Sequence, residues 1–263
     1  MKVAYKHWKA ADTPKAIVVF AHGFNSHSGY FQWPAEQLTA QHYDVYGIDF
    51  PGRGESDGER YYIADYEEFV KELDKLVDIA KAAHPGLSIF LIGHSAGGVL
   101  SSIYALEHQD KLSGFICESF AFQVPAPDFA VAVLRGLSHL FPHAHVLRLK
   151  NEDFSRSQEV VDFMNNDPLI ADEVQPTKTV QQLSLADERL KAEMPAIKLP
   201  LLILHGTADK ATRPSGSQYF YDTASSADKT LKLYEGHYHD LLNDTDKEVV
   251  MNDILNWLNK RTN

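Results

Sequence analysis

The chain has 263 residues, of which 44% are hydrophobic and 23% charged, a composition typical of a folded globular protein and not of a disordered one. Its formal net charge of -11, with no local cluster of Lys or Arg, argues against binding to nucleic acid or anionic membranes. The single cysteine, Cys117, excludes an internal disulfide and a cysteine-based zinc site.

The amino terminus has basic residues, but no apolar stretch of signal-peptide length follows them. The first apolar run, residues 17–21, is too short to cross a bilayer and is rich in β-branched residues, as a buried strand would be. We therefore expect no signal peptide, no transmembrane segment and a cytoplasmic protein.

Short apolar runs alternate with longer amphipathic stretches over most of the chain. Strands that are buried on both faces read as continuous apolar runs, and strand–helix alternation implies right-handed crossovers around a mainly parallel sheet. The sequence therefore predicts a doubly wound α/β core. The predicted strands are residues 17–21, 45–48, 88–92, 115–117, 201–205 and 231–234.

The alternation fails between residues 120 and 185, where five prolines separate helical pieces and no strand-like run is evident. Two of these pieces, residues 128–141 and 157–166, are long enough for helices. An inserted helical cap explains the break. We therefore predict an α/β core formed by residues 1–119 and 186–263, with a cap at 120–185.

A G-x-S-x-G motif lies where the predicted strand 88–92 passes into a helix-compatible stretch. The sharp strand-to-helix turn crowds the backbone around the serine, so the residues two positions away must lack side chains. Gly93 and Gly97 meet this requirement on either side of Ser95. The context predicts a nucleophile elbow, with Ser95 exposed at the amino terminus of a helix.

A serine hydroxyl becomes an effective nucleophile when a base accepts its proton and a carboxylate orients that base. In this kind of fold the partners follow in the order serine, acid, histidine, each beyond the carboxyl end of a strand. Asp209 follows the predicted strand 201–205 in this way and is the candidate acid. The last strand leads to two histidines, His237 and His239, and spacing alone does not separate them.

The oxyanion of a tetrahedral intermediate requires preorganised N–H donors. One donor is expected from Ala96, directly after the nucleophile, and the other from the loop after strand 17–21, where we assign the N–H of Phe24. The side chains of His22 and Phe24 are expected to fix this loop and to pack, without taking part in the chemistry.

These motifs, together with several others, resemble the monoacylglycerol lipase and lysophospholipase-like branch of the α/β-hydrolases. In that family the catalytic histidine lies three residues after the glycine of Tyr-Glu-Gly, which selects His239 here, and Ala96 replaces a common methionine. The other matching segments are His22-Gly23, residues 49–60, 166–169, 205–209 and 228–236.

The resemblance covers nearly the whole chain and implies an α/β-hydrolase fold with a serine acyl-enzyme mechanism and no cofactor or metal. The implied substrates are monoacylglycerols or similar monoacyl esters, and transient contact with lipid through the cap is expected without membrane insertion. The family's cap is apolar and admits an acyl chain. The side chains here that either line such a site or pack as a cap core are Phe120, Phe122, Phe129, Val133, Leu134, Leu137, Leu140 and Phe141.

Three other functions compete with ester hydrolysis. An acyltransferase or thioesterase would use the same triad, whereas a non-catalytic binding module would be expected to have lost one of its members. A metal enzyme is suggested only by two H-x-H pairs, at 143/145 and 237/239, which lack an obvious carboxylate set. Dehalogenases and epoxide hydrolases have an aspartate at the elbow and form an alkyl ester on it, so Ser95 excludes their chemistry.

Glu118, which ends an apolar strand, is interpreted as a hydrogen-bonded structural carboxylate.

Overall fold

The core of the molecule is a seven-stranded sheet with helices on both faces. The computed structural model describes residues 2–124 and 128–262, but for residues 128–132 it describes the backbone only. The strands are β1 (Tyr5–Trp8), β2 (Ala16–Ala21), β3 (Tyr43–Ile48), β4 (Ile89–His94), β5 (Gly114–Glu118), β6 (His145–Leu147), β7 (Gln175–Pro176), β8 (Leu201–Gly206) and β9 (Lys229–Tyr234). The α-helices are α1 (Gln32–Thr39), α2 (Tyr66–Ala83), α3 (Ala96–His108), α4 (Asp128–Ser138), α5 (Gln158–Asn166), α6 (Thr177–Glu193), α7 (Pro214–Thr223) and α8 (Lys247–Asn259).

The strand order in the large sheet is β1-β3-β2-β4-β5-β8-β9, and all neighbouring strands are parallel except β1, which runs antiparallel to β3. All six strands predicted from apolar runs are present, with ends that differ by at most two residues. The mainly parallel doubly wound core is therefore confirmed. Because parallel strands end at a common edge, the loops after β2, β4, β5, β8 and β9 meet there.

The sheet is buried on both faces, as the continuous apolar runs predict. Side chains of β2 alternate between two hydrophobic clusters, with Val19 in one and Val18 in the other. Helix α2 shows how the amphipathic stretches cover a face: Asp65 accepts a hydrogen bond from the Glu67 N–H at its start, and one stripe is buried. The buried stripe consists of Phe69, Val70, Leu73, Leu76, Val77 and Ala80.

The segment between β5 and β8 contains α4, α5 and α6, together with an antiparallel pair formed by β6 and β7. The expectation of no strand here was wrong, because strands of three and two residues are too short to leave a pattern in the sequence. Helix α6 passes through residue 185, so the predicted second boundary of the cap lies within a helix. We propose that the cap, residues 120–185, ends within that helix.

The predicted cap side chains lie in different environments. Phe120 and Phe122 are buried and stacked, with ring centroids 5.3 Å apart. Leu134 is half-buried, whereas four other apolar side chains are exposed. The side chain of Phe129 and the two prolines Pro125 and Pro127 lie outside the described part of the structure. No helix of the described ranges is long and apolar enough to cross a membrane. The exposed side chains are Val133, Leu137, Leu140 and Phe141.

Candidate active site

Ser95 occupies the turn between β4 and α3. Its φ of 55° lies in the left-handed region, which residues other than glycine rarely adopt. A methyl group built on Gly97 would lie 2.3 Å from the Ala21 carbonyl oxygen, and one on Gly93 would lie 2.6 Å from Ser101 Oγ. The two glycines of the motif are therefore required by close contacts. The Ser95 N–H donates to the Glu118 carbonyl oxygen at 2.9 Å, which fixes the turn against β5.

Asp209 and His239 come together from the loops after β8 and β9. His239 Nδ1 donates to Asp209 Oδ2 over 2.8 Å, and both side chains are buried. The other histidine, His237, packs near Tyr234, with ring centroids 5.5 Å apart, and burial lowers its pKa. The structure therefore pairs Asp209 with His239, the histidine that the resemblance selected.

Five donors surround the Asp209 carboxylate. Oδ1 accepts from the Ala211 and Thr212 N–H groups at 2.8 and 2.9 Å. Oδ2 accepts from Thr212 Oγ1 at 2.7 Å, from His239 Nδ1 and from His205 Nε2 at 3.0 Å. Burial acts to raise the pKa of Asp209, but His239 and His205 outweigh it and hold that pKa well below its usual range. Asp209 is therefore ionised and fixed in orientation.

His239 is held by groups on several elements. Its carbonyl oxygen accepts from Ser119 Oγ at 2.5 Å, and Phe154 contacts its ring edge-to-face at 4.9 Å between centroids. The ring of His94, the residue next to Ser95, lies 4.9 Å away. Within the described part of the chain, the buried Nε2 atom of His239 has no hydrogen-bond partner. Because Nδ1 donates to Asp209, Nε2 is the nitrogen free to accept a proton.

The oxyanion loop, defined here as residues 22–28, packs directly against the nucleophile. A methyl group on Gly23 would lie 2.7 Å from Ser95 Cβ and 3.2 Å from its Oγ. Phe24 and Ala96 are both buried beside Ser95 in one apolar cluster. Ala96 is the first residue of α3, so its N–H has no acceptor within the helix. The two predicted N–H donors are thus on the segments that flank Ser95.

His22 fixes the beginning of the oxyanion loop, as the sequence suggested. Its Nδ1 donates to the Gly23 carbonyl oxygen at 2.7 Å, and its Nε2 accepts from the Phe50 N–H at 3.1 Å. Burial lowers the pKa of His22 to about 4, with the nearby Asp49 opposing the shift. The imidazole is therefore neutral near pH 7, which suits a ring that both donates and accepts.

A second buried group, which the sequence analysis did not bring together, lies next to the triad in the chain. It consists of His94, Glu118 and Asp240. Their nearest ligand-type atoms lie within 4.8 Å of one another. Glu118 Oε1 accepts from the Leu242 N–H at 3.2 Å, so the structural interpretation of this residue fits. Burial, with Asp240 close by, raises the pKa of Glu118 well above its usual value. A raised pKa disfavours the ionised carboxylate that a cation would need, and we assign no metal to this group.

The two H-x-H pairs do not assemble into the group just described. His143 Nδ1 pairs with Glu59 at 2.6 Å and its ring stacks on Tyr62, while His145 lies in β6. A second feature that the sequence did not reveal is His205, whose Nδ1 faces Ser217 Oγ at 2.7 Å while its Nε2 faces Asp209. Its position four residues before the acid was the only available signal.

Comparisons with known proteins show which family this chain is similar to. The model of the family Hydrolase_4, "Serine aminopeptidase, S33", matches residues 12–246. Monoglyceride lipase of Homo sapiens is 32% identical over 262 residues, 98% of this chain and 86% of that protein. Monoacylglycerol lipase of Mycolicibacterium smegmatis is 31% identical over 262 residues, 98% of this chain and 93% of that protein. The crystal structure of Paleococcus ferrophilus monoacylglycerol lipase matches with a TM-score of 0.88 at 31% identity and covers 98% of each chain.

Proposed function

This chain belongs to the Hydrolase_4 family of serine hydrolases and is an enzyme of the monoacylglycerol lipase type, and we propose that it hydrolyses monoacyl esters through an acyl-enzyme on Ser95. The observation that carries the proposal is the buried Asp209–His239 pair, whose free Nε2 lies on the same edge of the sheet as the strained Ser95. Asp209, His239 and Ser95 have the roles of acid, base and nucleophile.

The reaction follows from these positions. His239 Nε2 accepts the Ser95 proton while Oγ forms a bond to the ester carbonyl carbon, and Asp209 stabilises the imidazolium that results. The carbonyl oxygen becomes an oxyanion that accepts hydrogen bonds from the N–H groups of Phe24 and Ala96. Collapse of this intermediate breaks the bond to the alcohol, which leaves with the proton from His239. Water then repeats the sequence and releases the fatty acid and Ser95.

The apolar wall beside the nucleophile supports an acyl chain as the substrate's larger part. Phe120 and Phe122 follow β5 at the edge of the sheet where Ser95 lies, and they are buried in the same large apolar cluster as Phe24 and Ala96. The relatives named as monoglyceride or monoacylglycerol lipases agree with this preference. An acyl site of this kind favours esters with one chain over triacylglycerols.

The cap supports a transient contact with a lipid surface. Val133, Leu140 and Phe141 are 58%, 74% and 60% exposed, although large apolar side chains are normally buried. They lie on or just after α4, and the net charge of -11 of the whole chain disfavours an anionic bilayer. The proposed contact is therefore apolar and local to the cap.

A panel of 1-monoacylglycerols from short to long chains, with Ser95→Ala as the blank, tests the proposal. Each fully buried methylene contributes roughly 0.8 kcal/mol, so kcat/KM should rise by up to about 15-fold per pair of carbons and then level off. A flat profile, or faster hydrolysis of triacylglycerol than of monoacylglycerol, would contradict the proposed acyl site. Acyl thioesters and added alcohol acceptors in the same assay would identify a thioesterase or an acyltransferase.

The lipid contact has a separate test with a matched control. Replacing Leu140 and Phe141 with Ser should lower the rate on long-chain substrate in vesicles and leave the rate on a dissolved short-chain ester unchanged. Val249→Ser, at an equally exposed site on α8, should change neither rate. Equal losses on both substrates would contradict a role in lipid contact.

A further inference from the structure

The oxyanion loop is enclosed by two parts of the molecule, the core on one side and the cap on the other. All of its residues except glycine have their side chains buried. On the core side, His22 accepts from the Phe50 N–H, and the Ser28 N–H donates to Asp49 Oδ1 at 2.7 Å. Between these two anchors, the described hydrogen bonds from the core reach only His27, and they come from the neighbouring N–H groups of Gly29 and Tyr30.

Three hydrogen bonds to the cap hold this middle part of the loop, and the weakest joins Asn25 Nδ2 to the Leu149 carbonyl oxygen at 3.3 Å. Asn25 Nδ2 donates to Asn151 Oδ1 at 2.7 Å, and His27 Nε2 donates to Asp167 Oδ2 at 2.9 Å. His27 Nδ1 accepts from the Gly29 N–H, which leaves the proton on Nε2 and makes the direction of the second bond unambiguous. Each of these contacts joins residues more than 120 positions apart in the sequence.

A further contact reaches Phe24 indirectly, through the core residue Arg53. The Arg53 guanidinium lies over the Phe24 ring, 4.5 Å from its centroid, and is itself paired with Glu173 of the cap. Arg53 Nη2 also donates to Gln175 Oε1 at 2.8 Å. Both Arg53 and Glu173 are buried, so the pair keeps its geometry away from competing water.

The cap residues that make these contacts are themselves fixed. Asn151 Nδ2 donates to Asn165 Oδ1 at 2.8 Å, and Asp167 Oδ1 accepts from the Leu169 N–H at 2.8 Å. Asn25 has a φ of 49°, so the loop is turned at the point where the cap holds it. The cap therefore presents a rigid set of partners to a strained segment of the loop.

We propose that Asn151, Asp167 and Glu173 of the cap are positioning residues, which hold the Phe24 N–H in place through Asn25, His27 and Arg53. This inference rests on the proposed ester hydrolysis and deepens it. Because the loop packs within van der Waals distance of Ser95, a small displacement changes the distance from the N–H donor to the oxyanion. The cap then acts on the rate of the chemical step as well as on substrate binding.

Asn151→Ala and Asn25→Gly remove one contact from either side, and glycine at 25 keeps the backbone conformation accessible. Losing an oxyanion donor completely costs about 10²–10³ in kcat, so a displaced donor should cost on the order of tenfold. KM should change less than about twofold, because the ground-state carbonyl depends little on these donors. The two losses should not add in the double variant, because both changes break the Asn25–Asn151 contact. Asn25→Gly also removes the bond from Asn25 Nδ2 to the Leu149 carbonyl oxygen, so its single loss should be the larger.

Two further measurements separate positioning from general damage to the structure. An alkyl boronic acid forms a tetrahedral adduct on the serine, so the affinity for it should fall by the same factor as kcat. The affinity for an alkyl ether analogue of monoacylglycerol, which forms no such adduct, should not fall. Glu59→Gln removes the exposed cap–core pair with His143, which has no described hydrogen bond to the oxyanion loop, and should leave kcat unchanged. Thermal unfolding of each variant checks that it is folded.

A kcat within twofold of wild type in both Asn151→Ala and Asn25→Gly would overturn the inference, as would a loss expressed in KM alone or an equal loss in Glu59→Gln. These outcomes leave ester hydrolysis by the wild-type enzyme intact. Hydrolysis that survives Ser95→Ala would instead overturn the proposed function, and the inference with it.

Discussion

Replacing Asp209 with Asn tests how the carboxylate controls the histidine. All five neighbours of the Asp209 carboxylate donate to it, so the NH2 group of an asparagine must face other donors. It can face either the two backbone N–H groups or the donors on the Oδ2 side. The less costly choice faces the imidazoles, which can exchange tautomers. His239 Nδ1 then accepts a hydrogen bond and its proton moves to Nε2, which can no longer take the proton of Ser95.

The expected loss in kcat is on the order of 10⁴-fold, or about 5.5 kcal/mol in the activation free energy. Stability should change less. Hydrogen bonds to a charged acceptor contribute about 1.5–3 kcal/mol each, and His205 and Thr212 have alternative partners in Ser217 Oγ and the Ser119 carbonyl oxygen. We therefore expect a decrease of roughly 2–4 kcal/mol in the free energy of unfolding, which leaves the protein folded.

Steady-state rates on a soluble ester and urea unfolding of the same preparation measure both quantities. Asp222→Asn is the matched control, because Asp222 is exposed on α7 and accepts only from Gln218 on its own helix. It should retain full activity. Asp209→Asn with more than a tenth of the wild-type kcat, or a severe loss in Asp222→Asn, would refute the assignment of the acid.

Three further predictions follow from the same contacts. His239→Ala should lose on the order of 10⁴-fold in kcat and His237→Ala little, measured on one ester; the reverse result would move the base to His237. Gly23→Ala should lower kcat about 10²-fold or more in a folded protein, because its methyl group would displace the loop from Ser95; unchanged turnover would contradict the close contact. Burial raises the pKa of Asp240 from 3.8 to about 6. The contribution of the protonated Asp240 to the free energy of unfolding is therefore fully present below pH 4 and is lost as the pH rises through 6. Asp240→Asn should therefore gain up to roughly 3 kcal/mol on wild type in chemical unfolding between pH 4 and 8, and parallel pH profiles would rule this out.

Most of the core could be predicted because its signals are local. A parallel strand that is buried on both faces must be apolar throughout, as β2 and β8 are, and a strand-to-helix elbow must have glycines at positions 93 and 97. The edge strand β1 escaped this reasoning because its side chains are exposed or half-buried. The two short strands of the cap were missed because ladders of two or three residues impose no pattern.

The parts of the site that sequence did not reveal all depend on contacts between distant segments. His205 shares the Asp209 carboxylate with His239, and no spacing distinguishes it from an ordinary strand residue. The choice between His237 and His239 likewise required either a resemblance or the observed 2.8 Å contact. Asn25 and Asn151 are 126 positions apart, so only the folded chain brings the cap to the oxyanion loop.

The central claim is that Ser95 forms the acyl-enzyme, and covalent labelling with a fluorophosphonate tests it most directly. Mass spectrometry of the inactivated wild-type enzyme should locate one adduct on Ser95, in step with the loss of esterase activity. Ser95→Ala should remain unlabelled and inactive, while Ser215→Ala, at an exposed serine, should behave as wild type. An adduct on another residue, or undiminished hydrolysis by purified Ser95→Ala, would contradict the mechanism.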